Sequence, residues 1–141
     1  KLIMQQHLSA NEFFHLNYDK NNLYKIKKIY NECQKLTIVQ ILNNQGRIQK
    51  CMFYDETSRL SNVCIYNTDT GKEMRNVTFK QDGKTISSIR DFDPRTGALR
   101  SVSFFKPDGK SISSIIEYNE LGNEIEFSLF CDDGEIINAA F

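Results

Sequence analysis

The side chains best suited to chemistry in this sequence are thiols and imidazoles, and their spacing matches no familiar catalytic or metal-binding pattern. No two cysteines form a C-x-x-C motif, which argues against a zinc ribbon and against a thioredoxin-like redox site. Neither histidine has a nucleophile motif or a metal-ligand spacing near it, so structural or surface roles are favoured. The residues concerned are Cys33, Cys51, Cys64, Cys131, His7 and His15.

Two of the cysteines, Cys51 and Cys64, lie about equally far from a turn centred near residues 57–58. They are therefore predicted to be neighbours across a hairpin. We expect two reduced thiols packed together, and a cross-strand disulfide is the alternative in an oxidising compartment. Four scattered thiols favour a reducing compartment, and hence the cytoplasm. A secreted or surface location is the alternative if the N-terminus is processed.

Carboxylates stand directly before glycines at Asp82, Asp108 and Asp132/Asp133. An acid–base pair or a calcium site could use such side chains. However, Asp-Gly is the usual pair of a hairpin turn, and each turn offers one or two carboxylates where calcium needs about six oxygens or more. We interpret them as turn residues. The sequence also lacks the nucleotide-binding glycine motifs and H-E-x-x-H, so we predict a protein that is not an enzyme, without catalytic residue, cofactor or metal.

Basic and aromatic side chains give the candidate binding residues. Lysines alternate with tyrosines and isoleucines in residues 20–30, a pattern that suits phosphate or a glycan chain, although it also suits a solvated strand face. Eighteen basic and eighteen acidic residues cancel, so we expect no nucleic-acid partner, and no apolar run is long enough for membrane insertion. The candidates are Tyr24, Lys25, Lys27, Tyr30, Phe79, Phe104, Phe105 and Tyr118.

A repeat marked by glycines must position these residues. From Gly71 onward the glycines are spaced by 12, 14, 12, 13 and 12 residues, and Ser58, Gln34 and Asn22 take the same place further upstream. Two turn types alternate, so the repeat is a two-strand hairpin of about 25 residues. The predicted turn glycines are Gly46, Gly71, Gly83, Gly97, Gly109, Gly122 and Gly134.

The spacing of the turns leaves seven or eight residues for each element, which suits a strand better than a helix. We predict an all-β fold, an antiparallel meander of about twelve short strands that forms one curved sheet or a sheet folded on itself. Residues 1–141 form one domain, degenerate over 1–34 and regular over 35–141. The predicted strands are 2–8, 12–18, 24–30, 36–42, 48–54, 60–66, 74–80, 86–92, 99–105, 112–118, 125–131 and 136–140.

The predicted strands present apolar side chains that no helix is available to cover. Ile112, Ile116 and Tyr118 are expected on one face of their strand, and Ile125, Phe127, Leu129 and Cys131 on one face of the next. An uncovered apolar face usually marks an interaction surface, and terminal strands can also pair with another copy. The architecture therefore predicts a binding partner or a homo-oligomer formed through the sheet edge or face.

Two families resemble this pattern. The segments Phe92-Asp93-Pro94-Arg95-Thr96-Gly97 and Phe105-Lys106-Pro107-Asp108-Gly109-Lys110-Ser111-Ile112 resemble the YDPxTG…YxPDGKTI repeat of an uncharacterised family in mollicutes and related low-GC bacteria. The run of turns from Asn22 to Gly134 is similar to the β-meander of bacterial GT-B glycosyltransferases that modify serine-rich adhesins or wall teichoic acid. That resemblance implies acceptor binding and subunit assembly, and it carries over no catalytic residue.

The function predicted is a non-catalytic binding or assembly module that presents a broad sheet face to a protein partner or a glycan or glycoprotein acceptor. It could be the acceptor-binding or oligomerisation part of a bacterial glycosyltransferase system. The alternative is a secreted or surface-displayed bacterial repeat protein that contacts host molecules.

Overall fold

The computed structural model describes residues 2–9, 12–18, 23–132 and 136–140, with side chains from residue 24 onward. Asn22, Asp133 and Gly134 lie outside the described residues, as do the side chains of His7, His15 and Lys20. The described ranges form twelve strands, whose bounds differ by at most one residue from the predicted ones. They are β1 (Leu2–Ser9), β2 (Glu12–Tyr18), β3 (Leu23–Tyr30), β4 (Leu36–Leu42), β5 (Ile48–Tyr54), β6 (Leu60–Tyr66), β7 (Glu73–Phe79), β8 (Ile86–Phe92), β9 (Leu99–Phe105), β10 (Ile112–Tyr118), β11 (Glu124–Phe130) and β12 (Ile136–Ala140).

Every strand pairs antiparallel with the next, so the order in the sheet is the order in the chain. Among the described residues, contacts between strands join consecutive strands only. The predicted antiparallel meander is therefore confirmed, while the alternative of a sheet folded on itself is wrong. The strand order follows from the short turns, because each turn returns the chain beside the strand before it. No helix in the described ranges could cross a membrane.

The turns are built around an Asn or Asp side chain that accepts hydrogen bonds from amides of its own turn. Oδ1 of Asn43 accepts from the amides of Gln45 and Arg47, each at 2.9 Å. Such side chains favour turns because they replace the missing backbone partner. The turn role predicted for Asp82 and Asp108 is thereby confirmed. Equivalent bonds form at Asn31, Asp55, Asn67, Asp82, Asp93, Asp108 and Asn119.

Each of these turns also contains one residue with a left-handed backbone. Gln34 and Ser58 both have φ of 64°, which confirms that they stand in the place of a glycine. Glycine adopts this conformation without steric cost, whereas a side chain makes it unfavourable. The glycines with positive φ are Gly46, Gly71, Gly83, Gly97, Gly109 and Gly122.

The hairpins from β3–β4 to β10–β11 each contain one extra residue near the start of the second strand. Such a β-bulge shifts the alternation of side chains by one residue. Ile112 pairs with Phe105 and points to the same face as that residue. The extra residue, Ser113, shifts the alternation, so Ile116 points to the other face. The prediction that Ile112 shares a face with Ile116 and Tyr118 is therefore wrong.

Cross-strand pairing assigns the described side chains to two faces, because directly paired residues point the same way. We call them the valine face and the cysteine face. One row across the valine face is Val39, Met52, Val63, Val77, Ile89, Ser103, Ile115, Ser128 and Asn138. One row across the cysteine face is Lys27, Gln40, Cys51, Cys64, Asn76, Arg90, Val102, Ile116, Phe127 and Ala139.

The apolar side of the sheet changes between β8 and β9. Up to Ile89 the valine face carries the aliphatic row, and from Val102 onward the cysteine face carries it. Buried apolar residues are few in the described part, because a single sheet has no second layer to bury them. They are Val39, Cys51, Val63, Cys64 and Val102.

The turns lie in two rows at opposite ends of the strands. Turn row one contains the turns β3–β4, β5–β6, β7–β8 and β9–β10, and turn row two contains the turns β4–β5, β6–β7, β8–β9 and β10–β11. In turn row one, the hydroxyl at each bulge donates to a carbonyl of the preceding strand at 3.0–3.1 Å. The four hydroxyl residues are Thr37, Ser61, Ser87 and Ser113.

Neighbouring turns within a row are also joined. Arg47 Nη1 donates to the carbonyl of Thr68 at 3.1 Å in turn row two, and Arg59 Nη1 donates to that of Gln81 at 3.2 Å in turn row one. Lys35 and Lys72 make the corresponding bonds to later turns. Each such bond connects one repeat to the next.

Candidate functional site

Three large apolar side chains lie exposed in one row of the cysteine face, and we call Phe104, Leu129 and Ile137 the C-terminal patch. Phe104 pairs with Ser114, which pairs with Leu129, and Leu129 pairs with Ile137. Their exposed fractions are 39%, 39% and 54%. The adjacent row, from Val102 to Phe127, is also apolar. Contiguous exposed apolar surface of this kind usually marks a contact site.

The C-terminal patch lies in an acidic part of the chain. Residues 112–132 contain Glu117, Glu120, Glu124, Glu126 and Asp132 and no basic residue. We call this segment the acidic end. Glu117 and Glu126 are direct partners on the valine face, and like charges placed opposite each other destabilise a strand pair. The acidic end therefore favours a basic surface in its neighbourhood.

The opposite end of the described side chains is basic. Residues 24–50, which we call the basic end, contain six Lys or Arg residues and a single acidic one, Glu32. Lys25 and Lys27 lie on the cysteine face together with Ile29, since Lys27 pairs with Gln40 and Ile29 with Ile38. The neutral total charge thus conceals two ends of opposite sign.

The cysteine pair lies between these ends. Cys51 and Cys64 are direct cross-strand partners, as predicted, and both are free thiols with 2% and 6% of their surface exposed. Burial raises the pKa of the Cys51 thiol. Burial, followed by the hydrogen bond to the Glu73 carboxylate, raises the pKa of the Cys64 thiol to about 12. A nucleophilic cysteine needs the thiolate, so this pair is suited to packing rather than to covalent chemistry.

An open hollow of about 550 Å³ lies beside Cys51 on the cysteine face, and we call it the thiol hollow. Cys51, Phe53 and Tyr66 line it, and burial is the main cause that raises the pKa of the Tyr66 phenol. The hydrogen bond from Arg47 to the Thr68 carbonyl closes one side. Its remaining lining comes from Gln40, Ile48 and residues 68–71. The volume suits a small ligand or an inserted aromatic side chain.

One carboxylate beside the thiols has an unusual environment. Oε1 of Glu73 is buried and has no hydrogen-bond partner among the described residues. The described residues contain no group of three or more His, Cys, Asp or Glu side chains placed to hold a metal. The thiol hollow therefore offers shape and apolar surface.

The predicted binding residues do not form one site. Tyr24 and Tyr30 lie on the valine face with Phe79 and Phe105, whereas Lys25, Lys27, Phe104 and Tyr118 lie on the cysteine face. Tyr30, Phe79 and Phe105 are half-buried at equivalent positions before the turns of turn row one, where each pairs with an aliphatic residue. Of the eight candidates, only Phe104 belongs to the C-terminal patch.

Sequence reasoning missed Leu129 and Ile137 as site residues. The signal existed, because Phe127 and Leu129 alternate along one strand face in the last third of the chain. The bulges prevented this face from being matched with that of Phe104, which lies next to Phe105 in sequence but on the other face of the sheet.

Comparison with protein families identifies one relationship. A family model described as "Protein of unknown function (DUF2963)" matches residues 53–101 and 105–139, which is more than half of the chain, and the chain belongs to this family. The matched segments begin in β5 and end in β12; they include Leu129 and Ile137, whereas Phe104 lies between the two segments. No curated protein matches the sequence.

Proposed function

We propose that this DUF2963 protein is a non-catalytic binding or assembly module whose C-terminal patch contacts a partner. The observation that carries the proposal is the row of Phe104, Leu129 and Ile137 on the uncovered cysteine face. Sheets in stable domains bury an apolar face against a second layer. Here the described chain provides one layer, so a partner would supply the other.

A protein is the partner class that this surface favours. Aliphatic side chains dominate the C-terminal patch and its adjacent row, and apolar side chains with a charged surround are typical of the centre and rim of a protein interface. A glycan acceptor, and a place beside a bacterial glycosyltransferase, stay predictions from the resemblance.

The test compares two triple variants made on the same three strands. Phe104→Thr/Leu129→Thr/Ile137→Thr removes the C-terminal patch, and Ser103→Thr/Ser128→Thr/Asn138→Thr changes the neighbouring positions on the valine face. Circular dichroism checks that both variants fold. Photo-crosslinking in cells that make the protein, together with a glycan array, then measures what each variant binds.

The expected result is that the wild type and the valine-face variant retain the same partners, while the patch variant loses them. Equal binding by both triple variants would contradict the proposal, because the contact would then not depend on the C-terminal patch.

A further inference from the structure

We propose that the partner of the C-terminal patch is a second copy of this chain, docked cysteine face to cysteine face around a two-fold axis that runs along β7. This inference rests on the proposed function and specifies its partner. In such a pair, β11 of each copy lies over β3 of the other, and β9 lies over β5. Two contacts of the same kind then form at once, as an isologous interface requires.

Charge complementarity supports a second copy over an unrelated protein. Along the cysteine face of β11, the side chains from turn row one to turn row two are Leu129, Phe127 and Glu124, and the exposed bulge residue Ile125 lies between the last two. Along β3 they are Ile29, Lys27 and Lys25 in the same direction. A two-fold axis parallel to the strands preserves that direction. It therefore places Leu129 over Ile29 and Glu124 over Lys25.

The thiol hollow gives an independent argument from shape. It lies on β4–β6 of the cysteine face, and β9 of the second copy would cross it. Phe104 is exposed near turn row one on β9, and Phe53 lines the hollow near turn row one on β5. Phe104 of one copy would thus lie over Phe53 of the other, at the edge of the hollow nearest turn row one. Aromatic side chains packed into a pocket are typical anchors of interfaces.

The acidic end and the basic end balance in the same way. The chain has equal numbers of basic and acidic residues, yet all charged residues of 112–132 are acidic and all those of 24–50 except Glu32 are basic. Bringing the two cysteine faces together places Glu124 of one copy over Lys25 of the other, while Glu117 and Glu126 stay on the outer valine face. Two sheets packed face to face lie about 10 Å apart, which is close enough for side chains of these lengths to meet.

The first experiment measures self-association of the purified protein by sedimentation equilibrium at low and high salt. The expected species is a dimer whose dissociation constant rises with salt, because exposed ion pairs are screened. The Phe104→Thr/Leu129→Thr variant is expected to weaken the dimer at least about tenfold. A protein that is monomeric at every concentration overturns the inference.

The second experiment reverses the charges. Lys25→Glu/Lys27→Glu replaces the two lysines on the cysteine face of β3 by acidic side chains, and Glu120→Lys/Glu124→Lys replaces two acidic side chains at the start of β11 and in the turn before it by basic ones, so each dimer should dissociate at least about tenfold more readily. Mixing the two variants should restore a heterodimer, because both contacts are then again between opposite charges. Lys84→Glu/Lys110→Glu is the matched control, since it makes the same charge change on exposed turns.

The outcomes separate this inference from the proposed function. A dimer that survives both reversals, or reversed variants that fail to pair when mixed, would overturn the two-fold arrangement. A monomer whose C-terminal patch still retains another partner in the crosslinking experiment would overturn the second copy and leave the proposed function standing.

Discussion

Turn row one and turn row two run along opposite ends of the same strands, yet their left-handed residues meet different surroundings. A Cβ added at Gly109 in turn row one would lie 2.6 Å from Cγ2 of Thr85 in the preceding turn of that row. A Cβ added at Gly46 or Gly122 in turn row two would meet no atom within 4 Å. Turn row one is therefore packed turn against turn, while turn row two is open at these positions.

The comparison shows that the glycine of each turn meets different physical requirements in the two rows. In turn row two, Gly46, Gly71 and Gly122 are needed only for their backbone angle, and a Cβ at Gly97 would meet only the flexible side chain of Lys72, at 3.3 Å. In the later turns of turn row one, the glycine is needed for its angle and for the space of a missing Cβ. Turn row one also has the bulge hydroxyls, whereas the bulge positions of turn row two are occupied by Gln49, Met74, Arg100 and Ile125.

The largest expected difference between the rows comes from replacing glycine by alanine. Gly109→Ala is expected to lower the free energy of unfolding by about 3 kcal/mol, because it adds a steric overlap to the cost of a left-handed alanine. Gly122→Ala is expected to cost about 1 kcal/mol, since only the backbone cost applies. Urea unfolding followed by circular dichroism measures both. Equal losses would show that turn packing does not distinguish the rows.

The next effect concerns the bulge hydroxyls. Ser87→Ala removes the hydrogen bond from its Oγ to the carbonyl of Thr78, at 3.1 Å, and is expected to cost about 1 kcal/mol. Gln49→Ala at the equivalent bulge of turn row two is the control, with an expected change within about 0.5 kcal/mol. The same urea experiment applies, and an equal cost at both bulges would contradict a specific role for the hydroxyl.

A smaller effect, in the stabilising direction, is expected at Ser58. Its φ of 64° is unfavourable for a residue with a Cβ, so Ser58→Gly should raise the free energy of unfolding by up to about 1 kcal/mol. The reciprocal change in turn row two, Gly46→Ser, should lower it by a similar amount. If Ser58→Gly instead destabilises the protein, the serine side chain contributes more than its backbone costs.

The last comparison is how the stability contributed by each row depends on pH. Hydrogen bonds within the turn hold the pKa of Asp82 and Asp108 in turn row one, and of Asp93 in turn row two, at about 2. The bonds to the Thr85 side chain and to the Ser111 amide are the largest causes for Asp82 and Asp108. A carboxylate with a lowered pKa stabilises the fold above its unfolded pKa, and this stability is lost as the pH falls from about 4 towards about 2.

Asparagine keeps one acceptor oxygen and does not titrate. Asp82→Asn/Asp108→Asn should therefore reduce the fall in melting temperature between pH 4 and pH 2 by more than Asp93→Asn does. Melting curves at a series of pH values measure this, with the wild type as reference. An acid response that the double variant leaves unchanged would place its origin in other groups.

Much of the fold could be predicted from sequence because the turn signals depend on short stretches of the chain. The spacing of Gly71, Gly83 and Gly97 determines strand length, and short turns leave antiparallel pairing with the next strand as the outcome. The same spacing placed Gln34 and Ser58 at the turn position of a glycine, and both have left-handed backbone. These features depend on a few neighbouring residues, so the sequence displays them directly.

The faces could not be predicted, because they depend on bulges that alternation alone does not reveal. One extra residue per hairpin reverses every later side chain, which is why Phe104 and Phe105 were both expected as binding residues although they point to opposite faces. The hydroxyls at Ser61, Ser87 and Ser113 recur at the second position of their strands and could have indicated the bulges. The partnership of Cys51 and Cys64 was predictable, since both lie well away from the bulge of their hairpin.

The turn-to-turn hydrogen bonds have a consequence for how such a gene can change length. Lys35, Arg47, Arg59 and Lys72 each reach the turn two places further along the chain. Duplication or loss of a two-strand unit keeps every donor opposite an acceptor of the same row. Loss of a single strand would exchange the rows and invert all later side chains. Natural variants are therefore expected to differ in length by whole hairpins, so that recombination adds or removes complete units.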